Sequence, residues 1–453
     1  MDTRKTQDLL KKLTLFVAYN TDVDEIYEIN ENFEKLFSKE EYEEARKRDP
    51  VSIEEKVDLL AGLLKSMKNN DAEELPIYNK KVHSFLKNNL KPQTERMGGQ
   101  AGIMSNLLSI LGCKVIVYTE LLSNKQAEMF ADNQRIFYPL ANDILHFKRP
   151  QDCASRMKTK KNWIFEYKKG NKIFETEAKG NNRFVAASRP EEIKIEVGKL
   201  QKHAEALSKE CDCAILSGFH DLKEDYKDGT TYLDHLKNSK KFIKRMKVGN
   251  PDLKIQIEFA STPDRQMRKD ILKVIVPEAN CLSMDRSEMI SVLEILENNE
   301  TEEIDSVEEY FEGLKNILQG TGIECVKIHT LHYFMTINNG YIEPEFIKKG
   351  LEFARKLAYI KAREGNVESI DSVNTVNDND ISQKGIRERE RLSNYLGNNE
   401  LTKKGLIKNT DYNLIMIPTK LVENPEETVG IGDVISSGSF ALENALKKVK
   451  EDE

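Results

Sequence analysis

From about residue 196 to the C-terminus, short apolar runs alternate with amphipathic helical runs, and few folds accommodate that order. A helical pattern over 199–207 precedes a strand pattern over 214–218, and one over 232–246 precedes 255–259. A helix after Pro263 leads to a short apolar run at 274–276, read as a strand, and 281–284 precedes a helix over 287–296. Strand patterns at 326–330 and 333–337 are followed by a long helix over 344–362, a polar excursion over 365–400 and a strand at 414–417. Repeated strand-then-helix order returns each strand to the same sheet by a right-handed crossover. The expected fold class is therefore α/β, a mostly parallel central sheet covered by helices.

The rest of the chain fits around that sheet. The run 13–19 is a buried-strand pattern that ends in Asn20, Asp22 and Asp24. Polar groups beyond the carboxyl end of a parallel strand lie where open α/β sheets bind ligands. They suit the hydroxyls of a polyol, or equally an Asx-capped turn. Residues 25–95 read as helical and charged, broken by Pro50, Pro76 and Pro92. Then Glu95-Arg96-Met97-Gly98-Gly99-Gln100-Ala101-Gly102 opens an apolar helix, with Gly99 allowing close backbone approach and Gln100 supplying a donor and an acceptor. Over 145–195 the period shortens to two: 163–167 and 172–176 flank Lys168-Lys169-Gly170-Asn171 as a β-hairpin, and Arg183 begins a further strand. This segment is basic, carrying Arg156, Lys158, Lys160, Lys161, Lys168, Lys169, Lys172, Lys179, Arg183 and Arg189; most of these read as solvated strand faces, and one or two can grip a substrate phosphate. The expected division is a large lobe from 1–24, 96–144 and 196–453, and a smaller α+β lid from 25–95 and 145–195.

The chemistry concentrates at Val429-Gly430-Ile431-Gly432-Asp433, where two glycines precede an Asp that opens an amphipathic helix. Unbonded N–H groups and the helix dipole attract an anion there, most often phosphate. A carboxylate beside that anion can take the proton of an attacking hydroxyl. The competing reading is a tight strand-to-helix connection with Asp433 as a cap. Glu258 ends a strand, and Asp285 and Glu288 stand three apart at a helix start. Carboxylates at that sheet edge suit a hydrated Mg²⁺ that also meets phosphate oxygens, or they are a helix cap and a surface charge. His329 and His332, three apart in a strand pattern, read as structural.

A net charge of −7 argues against nucleic-acid binding. No apolar run approaches a membrane span of about 20 residues. Six scattered cysteines read as reduced thiols of a cytoplasmic protein.

Five segments, taken in order, resemble the ADP-dependent sugar kinases, archaeal glucokinases and phosphofructokinases with a ribokinase-like fold. They are Asn20-Thr21-Asp22-Val23-Asp24, Arg96-Met97-Gly98-Gly99-Gln100-Ala101-Gly102, Asn182-Arg183-Phe184, Glu258-Phe259-Ala260-Ser261 and Gly430-Ile431-Gly432-Asp433. The resemblance implies transfer of the β-phosphate of ADP to fructose 6-phosphate or glucose, with AMP as product, in a modified glycolysis. It makes Asp433 the base, the N–H groups of Gly430, Ile431 and Gly432 an anion hole, and Glu258 and Glu288, with Asp285 alongside, the holders of Mg²⁺. Asn20, Asp22, Asp24, Glu95, Gly99 and Gln100 would contact the sugar, and Arg183 and Lys172 its phosphate. Val429, Gly432, Pro418 and Thr419 would contact the nucleotide, with the loop 418–427 over the adenine. The partners implied are small molecules, and the protein is expected to be a monomer or small homo-oligomer. Two positions depart from the family pattern: Gln256 replaces the His of its H-x-E motif, and Asp285 the Asn of its N-x-x-E motif. The alternatives are an ATP-dependent sugar or nucleoside kinase and a non-catalytic sensor, which would not need Asp433.

Overall fold

Strand Thr14–Tyr19 sits inside an eleven-stranded sheet, with Cys213–Leu216 on one side and Lys114–Thr119 on the other, both parallel to it. The computed structural model describes residues 3–452 apart from 191, 196, 261, 263, 299–303, 378, 424 and 428. Ser261 and Pro263, named above, lie outside the described residues. Beyond Cys213–Leu216 the sheet continues in parallel through Lys254–Glu258, Cys281–Asp285 and Cys325–His329. Tyr333–Asn338, Asn413–Pro418 and Leu406–Lys408 then complete it antiparallel to one another. On the other side Ile136–Ala141 is parallel and Leu145–Lys148 is an antiparallel edge.

Both faces of this sheet are covered, so its strands are nearly continuous in apolar residues. Phe16 and Ala18 pack into a core with Phe242, Ile243, Leu293 and Leu314. Leu15 and Val17 face the opposite core, built with Leu108, Leu357, Phe440 and Leu442. Chain order reverses at Thr14–Tyr19: the chain leaves it for Lys114–Thr119 and returns on its other flank at Cys213–Leu216. Crevices form at the carboxyl ends of strands at such a switch point.

The smaller sheet has five strands in the order Glu73–Ile77, Asn182–Ser188, Lys161–Tyr167, Asp22–Glu28 and Thr94–Gly98. One face is apolar, with Tyr27, Trp163, Phe165 and Phe184 packed on Leu60, Leu63 and Leu64 of helix Lys56–Asn69. The other face is polar. Asp24 stands opposite Arg96 on one neighbouring strand and Asn162 on the other. The chain crosses between the lobes four times: between 19 and 22, 98 and 100, 153 and 161, and 188 and 198.

Several local expectations change. Asp22–Glu28 and Thr94–Gly98 are strands of the smaller sheet, so each straddles an expected lobe boundary, and Leu145–Lys148 pairs in the large sheet. Lys161–Tyr167 pairs with Asn182–Ser188, not with 172–176, which folds back on itself as the ribbon Lys172–Ile173/Thr176–Glu177. The run 274–276 is not a strand. Asp264 caps a helix, Arg265–Val274, by accepting from Gln266 N at 2.8 Å and Met267 N at 3.0 Å. That helix buries Met267, Ile271 and Leu272, and Val276–Glu278 is a 3-10 turn.

Candidate active site

The glycine turn connects the strand Asn413–Pro418 to the 22-residue helix Ile431–Asp452. Gly430 takes φ +75°, a conformation that L side chains rarely adopt. Asp433 stands in the first helical turn, while Val434, Phe440, Ala441 and Leu442 anchor the helix in the core. The helix start therefore faces outward over the sheet's carboxyl edge. Thr428, just before this turn, lies outside the described residues.

That edge and the polar face of the smaller sheet enclose a cavity of about 740 Å³. It brings together Asn20, Asp22, Asp24, Gly99, Gln100, Arg183, Glu258, Asp285, Glu288, Val429, Gly430, Ile431, Gly432 and Asp433, residues from across the sequence. Asn20 Oδ1 accepts from Ser217 Oγ at 2.9 Å, and Asn162 Nδ2 donates to Asp22 and Asp24, each at 3.2 Å. Gln100 Oε1 is buried without a hydrogen-bond partner among the described residues, an acceptor awaiting a donor.

Four expected site residues lie elsewhere. Glu95 alternates with Arg96 along its strand, so it points to the opposite face and ion-pairs with Lys125. Lys172 belongs to the two-residue ribbon and pairs with Glu177 at 3.2 Å, exposed. Pro418 ends a strand opposite Tyr333, and Thr419 Oγ1 donates to Leu331 O at 2.6 Å. These two support the Leu331 segment, which does line the cavity.

In their place the structure supplies a buried ionic cluster. Lys160 Nζ lies 2.8 Å from Asp22 Oδ1 and 2.5 Å from Asp221 Oδ2. Arg189 lies 3.2 Å from Asp221 and 2.6 Å from Glu74. All five, with His220, line the cavity. Burial raises the Asp22 carboxyl against the pull of Lys160, whereas Lys160 and Arg189 together outweigh burial at Asp221 and hold it well below the usual range. Lys160 and Arg189 were visible in the basic segment, but nothing in the pattern distinguished them from Lys172. His329, structural by its strand pattern, lines the cavity with its ring beside the glycine turn. Nothing in the sequence distinguishes Lys361 from the other lysines of its long helix. It is buried and donates to Gly365 O at 2.7 Å; burial pulls its pKa down to about 8, opposed by Asp433 and Asp24.

The carboxylates interact. Burial raises Asp433 to about 7, with Lys361 opposing. Glu258 and Glu288 are held well above the usual range by burial; Asp433 adds repulsion to both, and Asp285 and Glu258 to Glu288. Ser436 Oγ donates to Glu258, and Gln256 Nε2 donates to Ser436 Oγ at 2.7 Å, so the Gln at the H-x-E position orients that carboxylate through a hydroxyl. Asp285 caps its helix by accepting from Glu288 N at 2.9 Å, while Glu288 accepts from Asp285 N at 2.7 Å. No three His, Cys, Asp or Glu side chains among the described residues form a direct metal cage.

A sequence model of the ADP-specific phosphofructokinase/glucokinase conserved region matches residues 13–442. The chain belongs to this family. It is 32% identical to the ADP-specific phosphofructokinase of Methanosarcina acetivorans over 96% of this chain and 94% of that protein. It is 29% identical to the ADP-dependent glucose/glucosamine kinase of Pyrococcus abyssi, over 95% and 94%. A solved ADP-dependent kinase in complex with fructose-6-phosphate and ADPβS shares the family architecture, with a TM-score of 0.88 at 34% identity, over 98% of this chain and 96% of that one. No helix among the described residues is long and apolar enough to cross a membrane.

Proposed function

We propose that this family member transfers the β-phosphoryl group of ADP to a hydroxyl of fructose 6-phosphate or glucose, leaving AMP. The observation that carries the reading is the placement of Asp433. Its carboxyl stands at a glycine-flanked helix start inside the same cavity as the polyol-suited Asn20, Asp22, Asp24 and Gln100. Asp433 takes the proton of the attacking hydroxyl, and the N–H groups of the turn stabilise charge on the moving phosphoryl. The apolar wall of Ile290, Leu331, Val429 and Ile435 suits the adenine ring. Lys160 and Arg189 are buried cations that a sugar phosphate would meet, which favours fructose 6-phosphate; of the two relatives, one is named a phosphofructokinase and the other a glucose/glucosamine kinase.

The mutually repelling Glu258 and Glu288 fit a hydrated Mg²⁺, which they would hold through water. Bound there, the ion would neutralise charge on the diphosphate. Six unpaired cysteines fit a reducing, cytoplasmic setting. The test is incubation with Mg²⁺, either acceptor, and ADP or ATP, reading AMP and phosphosugar. AMP from ADP supports the reading; transfer from ATP alone, or from neither nucleotide, rejects it.

A further inference from the structure

Strand Thr94–Gly98 places Arg96 opposite Asp24, whose carboxyl lines the cavity. The Arg96 guanidinium leaves its own sheet and ion-pairs with Glu427, in the segment that leads into the glycine turn. The Glu427 side chain is 9% exposed. Its Oε1 also accepts from the backbone N–H of Val429 at 2.7 Å, and the next residue is Gly430, at φ +75°. One carboxylate is therefore gripped from the lid and, through its other contact, fastens the backbone that becomes the anion-binding turn. Arg96 Nη2 is buried without a hydrogen-bond partner among the described residues, so this guanidinium is not saturated by Glu427. Arg96 thus stands between a carboxylate on the acceptor side, Asp24, and one on the phosphate side, Glu427.

We infer that Glu427 is a positioning residue: paired with Arg96, it sets the N–H groups of the glycine turn only while the lid strand lies over the cavity. The inference rests on the kinase reading and adds how transfer is tied to the acceptor. The reaction to be suppressed is attack of water on the β-phosphorus. That attack breaks the bond to the α–β bridging oxygen and gives AMP and inorganic phosphate, with the water proton passing to Asp433. A turn held in place only by a closed lid leaves that reaction slow when no acceptor is bound.

The test uses the full chain with Arg96→Met, Glu427→Gln, the double variant and Arg96→Lys. The readouts are kcat, KM for ADP and fructose 6-phosphate, and phosphate release without acceptor, alongside the unfolding temperature. Each single variant should lower kcat about 10-fold or more, with KM for ADP within about threefold, because the loss falls on the transition state. The double variant should lose no more than the worse single, since both changes remove one interaction. Arg96→Lys should recover part of kcat, which a packing role would not predict. Phosphate release without acceptor should rise relative to transfer in both single variants. Unchanged kcat in folded single variants, or losses that multiply, overturns the inference. If Arg96→Met does not fold, Glu427→Gln decides on the same criterion. A wild-type protein that makes no AMP from ADP overturns the kinase reading and this inference with it; an active wild type with unaltered variants overturns this inference alone.

Discussion

The imidazole of His329 occupies the space that a side chain on Gly432 would need: its Nε2 lies 2.8 Å from where a Cβ would fall. His329 ends a central strand and Gly432 lies in the first turn of the helix Ile431–Asp452, so this contact sets how closely helix and sheet edge approach. Gly432→Ala should therefore cost about 1–3 kcal/mol of stability by overpacking and displace Asp433, lowering kcat. Adding His329→Ala should restore much of the lost stability. Thermal unfolding and steady-state kinetics of the three proteins check this; additive losses would refute it.

Asp433→Asn should lower kcat by about 10²–10⁴, the range for losing a general base. The base role proposed for Asp433 requires the carboxylate form. With its pKa raised to about 7, kcat/KM should climb as pH rises through 7 and then level off, and the Asn variant should lose that limb. Stability runs the other way. The folded state holds this proton more tightly than the unfolded chain, so wild-type stability falls as pH rises from 3.8 through about 7. Asp433→Asn should unfold at a higher temperature than wild type above pH 7, and the difference should shrink as pH falls towards 4.

Removing either buried cation should be selective. Arg189→Ala and Lys160→Met should raise KM for fructose 6-phosphate at least about 10-fold and that for glucose much less, since a charge-assisted contact to phosphate is lost only with the former. Arg183→Ala should show the same bias more weakly, and Lys172→Ala should change neither. Equal loss with both acceptors would remove the phosphate-clamp role.

Chelation should abolish transfer. Glu258→Gln and Glu288→Gln should each raise the Mg²⁺ concentration giving half-maximal rate. Asp285→Asn should do so less, because Asn retains the acceptor that caps its helix. A Mg²⁺ titration of the four proteins checks this; identical midpoints would take the two glutamates out of metal binding.

Sequence made the site legible where chemistry and backbone coincide. Gly430 and Asp433 declare a turn and a helix start, and Asn20 closes a buried strand, so both could be placed without knowing any long-range contact. Lys160 and Lys172 show the opposite case. Lys160 immediately precedes one strand of the basic segment and Lys172 begins another, yet the first is buried against Asp22 and Asp221 and the second stands in solvent beside Glu177. Pairing decides between them, and the pairing of Lys161–Tyr167 with Asn182–Ser188 skips the nearer apolar run. Glu95 and Arg96 were separated by a single step of strand alternation, whose phase depends on which face the smaller sheet turns to its helices. At Val274, capping by Asp264 ten residues earlier outweighed a β-branched run too short to declare itself.

Of the four crossings between the lobes, those at Asn20-Thr21 and Gly99 touch: a Cβ on Gly99 would fall 2.7 Å from the Asn20 carbonyl oxygen. Asn20 and Gly99 also line the cavity. Two of the connections between the lobes and part of the cavity wall are thus the same few atoms. A side chain on Gly99 would therefore disturb the junction of the lobes and the wall of the cavity together.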